Sequence, residues 1–392
     1  MKKILPLAGL AAALLAGPLA AQQAHVNLDW KPQVNTENLL PYGAAVNSPD
    51  VLADGRITFR LDAPHATTVE LAGAPMLLAL KQKQPVPFVR DEKGLWTLTV
   101  GPVAPNIYVY KLRIDGVTVA DPNNTFTGFA DQPPYSMVVV PGDQPAYYDA
   151  QDVPHGAVTR HIYHSRVTGG EREMFVYTPP GYDPAKTYPV LYLLGGSGEL
   201  ASTWDRDGRA SCIADNLYAT RQAEPMLIVM PNNQVVHRSA AQHAEKSHPL
   251  FARELREEIV PFVEKNYRVR ADRHGRALAG LSMGGRHAQM VGFKSLDLFA
   301  SFGLLSAGDV DAEKSIPEFL NDPKTNAQLD YLFVGLGTFE EASDNRSVVF
   351  HQILARHGIA HDYYIGGNGG HDWGTWRDHL HTLLPRLWRS GR

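Results

Sequence analysis

The segment Gly280-Leu281-Ser282-Met283-Gly284 has the pattern G-x-S-x-G. It follows an apolar run at 276–279, as expected for a buried strand, and precedes a helix-compatible stretch at 286–294. In this strand–turn–helix setting a serine hydroxyl is raised above a sheet edge as a nucleophile. The two glycines allow a tight turn where a β-carbon would clash. We therefore predict that Ser282 is a nucleophile and that the Met283 N–H belongs to an oxyanion hole.

A serine nucleophile needs a general base and an orienting acid, which follow it in the chain in this arrangement. His371 is the best base, because its glycine-rich loop lies between the last predicted strand and the final predicted helix. The acid should follow the predicted strand at 331–334, where Glu340, Glu341 and Asp344 all compete. We favour Glu340 because the acid lies shortly after its strand. The other two carboxylates remain open.

A second oxyanion donor should come from the loop after the first central strand. That loop reads Gly195-Gly196-Ser197-Gly198-Glu199, and its glycines would let the backbone approach a bound acyl group closely. We predict Gly196 as this donor; a simple strand-ending turn is the alternative. Trp373 and Trp204 are candidates to line an acyl or sugar site, because aromatic faces suit both. Core packing is the alternative for each tryptophan.

Other chemistries find little support in the sequence. There is no H-E-x-x-H pattern and only one cysteine, Cys212, so we predict no metal site and no cofactor. His379 and His381 lie two apart on a predicted helix and therefore face different ways. The net charge of −4 gives no basic footprint for nucleic acid.

The first half of the chain has a β pattern. Polar and apolar residues alternate at 56–61, 68–71, 95–100 and 108–114, with a turn signal at Asp115-Gly116. Short alternating strands at close spacing, without a long helical pattern, predict a β-sandwich.

The second half has a different pattern. Continuous apolar runs at 190–194, 226–230, 277–279, 302–305, 331–334 and 363–365 alternate with helical stretches. In the clearest of these, apolar side chains recur at helical spacing between Phe251 and Val263. Buried strands alternating with helices predict an α/β fold with a mostly parallel sheet covered on both faces.

The N-terminus has the features of an export signal. Lys2 and Lys3 precede an apolar stretch at 4–19, and Leu19-Ala20-Ala21 is a small-residue cleavage site. We predict a secreted or periplasmic protein without membrane insertion after cleavage. The predicted organisation is a signal peptide at 1–21, a lead at 22–48, the β-sandwich at 49–145, a linker at 146–160 and the α/β domain at 161–392.

Several segments together resemble a known family. Val176 to Tyr182, Ala279 to Gly285, and Gly370-His371-Asp372-Trp373 followed by Trp376-Arg377 are similar to carbohydrate esterase family 1, which includes feruloyl esterases, esterase D and enterochelin esterases. The sandwich resembles the immunoglobulin-like early-set modules that precede catalytic domains in glycogen-branching enzymes and bacterial feruloyl esterases, through Tyr108-Val109-Tyr110-Lys111 and Asp121-Pro122-Asn123-Asn124. This resemblance implies an all-β immunoglobulin-like sandwich. The resemblance implies an α/β-hydrolase fold and a serine esterase acting on feruloyl or acetyl esters of xylan fragments.

The chain departs from that family at two positions. The family usually has His-Gly where this chain has Gly195-Gly196, and its acid is usually Asp where this chain has Glu340. We interpret Glu340 as a variant, because a longer carboxylate can still orient a histidine. A siderophore or small-ester hydrolase and a catalytically weak carbohydrate-binding protein are the alternative functions. The predicted partner is a carbohydrate ester, and a homodimer remains open.

Overall fold

The structure, a computed structural model, describes residues 46–130, 134–341 and 344–388. The predicted signal peptide, most of the predicted lead and residues 389–392 lie outside these ranges. The described chain consists of an all-β part, which ends at Val140, and an α/β part, whose first strand begins at Ala157.

The all-β part is a sandwich of two antiparallel sheets, as predicted. One sheet has the strand order β1-β2-β6-β5; the other has the order β4-β3-β7-β10-β9, with β8 on β7. The strands are β1 (Asp50–Val51), β2 (Ile57–Asp62), β3 (Val69–Ala72), β4 (Val86–Pro87), β5 (Val89–Arg90), β6 (Leu95–Val100), β7 (Asn106–Ile114), β8 (Val117–Val119), β9 (Thr127–Gly128) and β10 (Tyr135–Val140). The predicted Asp115-Gly116 turn joins β7 to β8, and both of its residues have positive φ, as a tight hairpin requires.

The α/β part contains an eight-stranded sheet in the order β11-β12-β14-β13-β15-β16-β17-β18. The pairs from β14 to β18 are parallel, whereas β12 pairs antiparallel with both β11 and β14. The strands are β11 (Ala157–Ser165), β12 (Gly170–Thr178), β13 (Val190–Leu194), β14 (Leu227–Pro231), β15 (Arg276–Leu281), β16 (Ser301–Leu305), β17 (Tyr331–Gly337) and β18 (Asp362–Gly366). All six predicted apolar runs are confirmed as strands of this sheet.

Helices cover both faces of the sheet. A first short helix, α1 (Ala74–Ala79), belongs to the sandwich instead. The helices of the α/β part are α2 (Thr203–Arg206), α3 (Ala210–Ala219), α4 (His243–Glu254), α5 (Val260–Asn266), α6 (Ser282–His287), α7 (Ala312–Ser315), α8 (Pro317–Asn321), α9 (Thr325–Gln328), α10 (Arg346–Arg356) and α11 (Trp373–Leu383). Single π turns follow α4 and α6, at Leu255–Ile259 and Ala288–Gly292. The predicted helix between Phe251 and Val263 is confirmed, because α4, the π turn and α5 run through it continuously.

Side chains of the central strands alternate between two hydrophobic cores. In β13, Val190, Tyr192 and Leu194 pack into one core, while Leu191 and Leu193 pack into the other. This alternation follows from the two-residue period of a strand, and it explains why β13 is apolar throughout. The second core also contains Ile107 and Met137 from the sandwich, so the sandwich packs directly on the α/β part.

A buried arginine adds a polar contact between the two parts. Arg377 of α11 is fully buried and donates hydrogen bonds to Asn106 Oδ1 (2.9 Å), the Ile107 carbonyl (3.2 Å) and the Asp207 carbonyl (2.9 Å). Asn106 and Ile107 belong to β7 of the sandwich, whereas Asp207 follows α2. One side chain therefore connects both parts, six residues after His371.

Two features of the structure were not predicted from the sequence. Helix α1 was not predicted, because its six residues are too few to show a helical period. Strand β11 begins at Ala157, inside the predicted linker, since its exposed, alternating residues resemble a polar connection. The domain boundaries remain a prediction. Within the described residues, no helix combines the length and the apolar character needed to cross a lipid bilayer.

Candidate active site

Ser282 lies on a sharp turn between β15 and α6. Its φ of 50° is in the left-handed region, which non-glycine residues rarely adopt. Backbone strain of this kind costs about 1–3 kcal/mol and is typical of functional sites. The turn places Ser282 at the carboxyl edge of the parallel sheet, where the loops after the other parallel strands also lie. It matches the nucleophile elbow expected from the sequence.

The two motif glycines are required by close backbone contacts. A β-carbon on Gly280 would lie 2.5 Å from the Gly284 carbonyl carbon, within the turn itself. A β-carbon on Gly284 would lie 2.5 Å from the Gly195 carbonyl oxygen and 2.6 Å from that of Leu194. Helix α6 can therefore approach the end of β13 only because residue 284 has no side chain.

The structure brings Ser282, His371 and Glu340 into one hydrogen-bonded chain. His371 Nε2 lies 2.8 Å from Ser282 Oγ, and His371 Nδ1 lies 2.5 Å from Glu340 Oε1. The His371 side chain is about one-third exposed, whereas that of Glu340 is 1% exposed. The base can therefore reach a substrate from solvent while its carboxylate partner stays shielded. This geometry can transfer a proton from the serine to the histidine.

Glu340 is held as an ionised carboxylate. Burial by itself would raise its pKa, but the hydrogen bond and charge of His371 and the hydrogen bond from the Gly337 N–H (2.9 Å) lower the pKa below its ordinary value. The competing acids are engaged elsewhere or exposed. Asp344 accepts hydrogen bonds from Arg346 Nε at 2.8 and 2.9 Å, and Glu341 is exposed.

The loop that carries His371 is fixed by the next residue. Asp372 caps α11 by accepting from the Gly374 N–H (2.9 Å), and its other oxygen accepts from the Gly370 N–H (2.9 Å). Asp372 therefore binds the backbone on both sides of His371. Trp376 packs edge-on against the imidazole, with the ring centroids 5.1 Å apart. Sequence reasoning had assigned no role to Asp372 or Trp376, although both lie in the quoted family segment.

The structure contradicts Gly196 as the second oxyanion donor. Its N–H already donates to the buried Glu199 carboxyl group, at 2.7 Å. The Gly198 N–H is also engaged, at 3.3 Å from Gln234 Oε1. Among the described residues, no group accepts from the Ser197 N–H. The loop is in the predicted place, but its available amide is one residue further along.

The two predicted substrate-binding tryptophans lie in the interior. Trp204 is 1% exposed and donates from Nε1 to the Leu194 carbonyl (2.8 Å), while Trp373 is 3% exposed. Their rings pack edge-to-face with centroids 5.3 Å apart. The prediction is therefore wrong for Trp204, whose role is packing. Trp373 packs in the same way and contributes only part of the wall of a cavity.

Two carboxyl groups, one at the end of the 195–199 loop and one after α2, are buried near each other. Burial raises the pKa of Glu199 to about 8, and the nearby Asp207 raises it further, against the opposing effect of the Gly196 hydrogen bond. Burial likewise raises the pKa of Asp207 to about 6. Tyr135 of the sandwich donates its hydroxyl to Asp207 Oδ2, at 3.0 Å. The raised pKa favours the protonated form of Glu199, which serves as a buried acceptor for the loop.

A cavity of about 600 Å³ lies between the sandwich and the loop that carries His371. On the sandwich side it is lined by Leu78 of α1 and by Lys83; on the other side it is lined by Phe339, Asn368 and Asp372. Leu78 and Phe339 are 39% and 49% exposed, so the cavity has apolar surface on both of its sides. The size is that of an ordinary small-ligand pocket.

Two residues of the hydrogen-bonded chain, together with Asp344, are also possible metal ligands. One ligand atom from each of Glu340, Asp344 and His371 lies within 4.8 Å of the others. However, both imidazole nitrogens of His371 already have protein partners, and Arg346 neutralises Asp344. Because these ligand atoms are already engaged in protein contacts, we assign no metal ion to the three residues.

Comparisons with known proteins relate both parts of the chain to described families. Residues 165–387 match the family described as "Putative esterase", and residues 41–127 match "Carbohydrate-binding module 48 (Isoamylase N-terminal domain)". An endo-1,4-beta-xylanase/feruloyl esterase of Xylanibacter ruminicola is 31% identical over 349 residues, which are 87% of this chain and 46% of that protein. Endo-1,4-beta-xylanase Y of Acetivibrio thermocellus is 29% identical over 55% of this chain and 22% of its own length. The chain thus spans less than half of these curated relatives.

Solved structures of esterases have a similar fold. A ferulic acid esterase of carbohydrate esterase family 1 from Anaeromyces mucronatus superimposes with a TM-score of 0.54 at 25% identity, covering 62% of this chain and 95% of that one. The enterobactin esterase of Shigella flexneri covers 85% of this chain and 93% of its own, with a TM-score of 0.64 at 16% identity. The second likeness shows a common two-part fold only.

The neutral state of Glu199 gives a testable pH dependence. Its folded pKa of about 8 lies above the ordinary value of 4.5, so the wild type loses stability as pH rises between these values, at up to about 1.4 kcal/mol per pH unit. Glu199→Gln keeps an acceptor for Gly196 and does not titrate. We expect its melting temperature relative to wild type to rise from pH 5 to pH 8 and then level off.

Differential scanning calorimetry at several pH values measures this difference. Glu341→Gln is the matched control, since Glu341 is exposed, and its difference from wild type should be small at every pH. A Glu199→Gln difference that does not change with pH would show that Glu199 is ionised in the folded protein.

Proposed function

Because the chain belongs to the esterase family matched at residues 165–387, we propose that it is a serine esterase acting on carboxylic esters of carbohydrates. The proposed substrates are feruloyl or acetyl esters on xylan fragments. The observation that carries the proposal is the hydrogen-bonded chain from Ser282 through His371 to Glu340 at the carboxyl edge of the sheet.

In the proposed mechanism, His371 Nε2 accepts the Ser282 proton while Ser282 Oγ attacks the ester carbonyl carbon. Glu340 stabilises the imidazolium and holds its tautomer. When the tetrahedral intermediate collapses, His371 returns the proton to the departing alcohol and an acyl-enzyme remains. A water molecule, deprotonated by His371, then attacks the acyl group and releases the acid and free Ser282.

Two backbone amides are proposed to stabilise the oxyanion. The first is the Met283 N–H, at the start of α6 and next to the nucleophile. The second is the Ser197 N–H, in place of Gly196, whose N–H is taken by Glu199. Donors of this kind typically contribute a factor of about 10²–10³ each to kcat.

The substrate proposal depends on two further observations. The relative from Xylanibacter ruminicola is named a xylanase/feruloyl esterase, and the similarity covers 87% of this chain, including the sandwich. The cavity between Leu78 and Phe339 adds apolar surface beside the His371 loop, with Lys83 and Asn368 as polar lining. We propose that the substrate extends into this cavity. The signal features at residues 1–21 support a secreted or periplasmic location, where such glycans are found.

Substitution of the nucleophile or the base tests the mechanism. Ser282→Ala and His371→Ala should each lower kcat by several orders of magnitude, and the double variant should lose no more than either alone, because the residues act as a unit. Rates on p-nitrophenyl acetate and methyl ferulate give the measurement. Turnover close to wild type in either folded variant would refute the mechanism.

The acid is tested by three matched substitutions. Glu340→Gln should fold but lose about 10²–10⁴ in kcat, because His371 loses the carboxylate that fixes its tautomer. Glu341→Gln and Asp344→Asn serve as controls and should stay within a few-fold of wild type. A large loss in a control variant, with Glu340→Gln unaffected, would move the acid to that position.

The substrate class is tested by adding sugar to the ester. Contacts to the sugar can be used to position the scissile bond, so kcat/KM should be higher for feruloyl-arabinoxylo-oligosaccharides than for methyl ferulate, after allowance for leaving-group reactivity. A siderophore or small-ester hydrolase should gain nothing from the sugar. Equal values, or preference for the methyl ester, would leave a serine esterase without glycan specificity.

A further inference from the structure

The loop that supplies the second amide must be held without the usual family residues. Residues 195–199 form a tight turn in which the Glu199 N–H points to the Gly196 carbonyl (3.4 Å) and Gly198 has a φ of 72°. Positive φ at the third turn position is typical of a type II turn with glycine. Where the family has His-Gly, this chain has two glycines, which provide no side chain to stiffen the loop.

A side chain from the neighbouring loop binds this turn at two points. Gln234 lies three residues beyond the end of β14. Its Nε2 donates to the Gly196 carbonyl at 2.8 Å, and its Oε1 accepts from the Gly198 N–H at 3.3 Å. A single planar carboxamide therefore fixes the residues before and after Ser197. This arrangement restricts the peptide unit that contains the Ser197 N–H, through its Gly196 carbonyl, and the peptide unit that follows it, through the Gly198 N–H.

Gln234 is itself held by a buried ion pair. Arg172 of β12 donates from Nη1 to the Gln234 carbonyl at 3.0 Å, and its Nε lies 2.8 Å from Glu254 Oε1. The side chain of Glu254 is completely buried and that of Arg172 is 10% exposed. The Gln234 N–H donates to Asn232 Oδ1 at 2.8 Å. The backbone that presents the carboxamide is thus anchored to the antiparallel edge of the sheet.

Other contacts support the turn but do not bind both sides of Ser197. Asn233 Nδ2 donates to the Gly195 carbonyl at 3.0 Å, at the start of the loop. Glu199 accepts from the Gly196 N–H. Arg238 Nη1 contacts Ser197 Oγ at 2.7 Å, but it is an exposed side chain bound to another side chain. Gln234 alone among these residues binds the backbone on both sides of the amide.

We propose that Gln234 is a positioning residue for acyl transfer, whose carboxamide holds the 195–199 turn so that the Ser197 N–H faces the oxyanion. The inference rests on the proposed esterase function. Among the described residues, the Gln234 side chain is hydrogen-bonded to the loop and not to Ser282, so it acts through the loop. Loss of the carboxamide should weaken transition-state stabilisation more than substrate binding, because the oxyanion forms only in the tetrahedral intermediate.

The test compares Gln234→Ala and Gln234→Met with wild type. Methionine keeps the length and packing of glutamine and removes both hydrogen bonds. We expect kcat on methyl ferulate to fall about tenfold or more in both variants, with KM within about twofold of wild type. Phenylboronic acid, which forms a tetrahedral adduct with a catalytic serine, should bind more weakly by a similar factor. Gln222→Ala is the control, since Gln222 is an exposed glutamine that precedes β14, whereas Gln234 follows the other end of that strand.

The readouts separate positioning from folding and from function. Titration with a fluorophosphonate counts the active sites, so every kcat is expressed per competent molecule. If the variants only lose active sites or melting temperature, with kcat per site and boronate affinity unchanged, Gln234 is a structural residue and the proposal is overturned. Wild-type activity above the Ser282→Ala baseline tests the esterase function separately. An inactive wild type removes both proposals, whereas an active wild type with unaffected Gln234 variants removes only this one.

Discussion

The close approach of helix α6 to the end of strand β13 determines the geometry of the whole site. Gly284 lies so near the Gly195 and Leu194 carbonyls that a β-carbon there would overlap both. The same contact sets where the strained Ser282 turn lies and where the 195–199 loop leaves the sheet. One packing constraint therefore positions both Ser282, the proposed nucleophile, and the proposed second oxyanion donor. The free-energy cost of the strained Ser282 backbone is offset by the burial of apolar side chains in the two cores of the sheet.

The sandwich contributes to this arrangement as part of the same folded unit. Ile107 and Met137 share a core with the central sheet, and Arg377 binds β7 from within α11. Burial lowers the pKa of Arg377, yet the guanidinium has three carbonyl or amide oxygens as partners and lies over the ring of Tyr148. Removing one partner of such a buried charge is costly. Because α11 begins two residues after His371, the sandwich supports the helix that follows the proposed catalytic base.

Sequence patterns predicted what depends on periodicity and on local turn chemistry. The central strands and the Ser282 turn followed from continuous apolar runs and from the glycine spacing, and His371 followed from chain order. The patterns could not show which amide of the 195–199 loop is already engaged, because that depends on the side chain of Glu199 folding back over its own turn. Gln234 and Asp372 were missed for the same reason, since polar loop residues have no period. Trp204 and Trp373 show the converse. Their residue type suggested a ligand-binding surface, but in the structure both side chains are buried by packing.

The local backbone accommodates a glutamate at the proposed acid position, where the family that the sequence resembles usually has an aspartate. Glu340 follows β17 in a turn in which its own N–H donates to the Gly337 carbonyl (3.0 Å), and its Oε2 accepts from the Gly337 N–H in return. The longer side chain thus folds back along its turn, and Oε1 is left directed at His371. The His371 loop can come close because a β-carbon on Gly337 would lie 2.7 Å from the Gly370 carbonyl. The extra methylene of glutamate is taken up by this reciprocal contact, so the distance to the imidazole stays short, and the carboxylate is held by the backbone and by the base together.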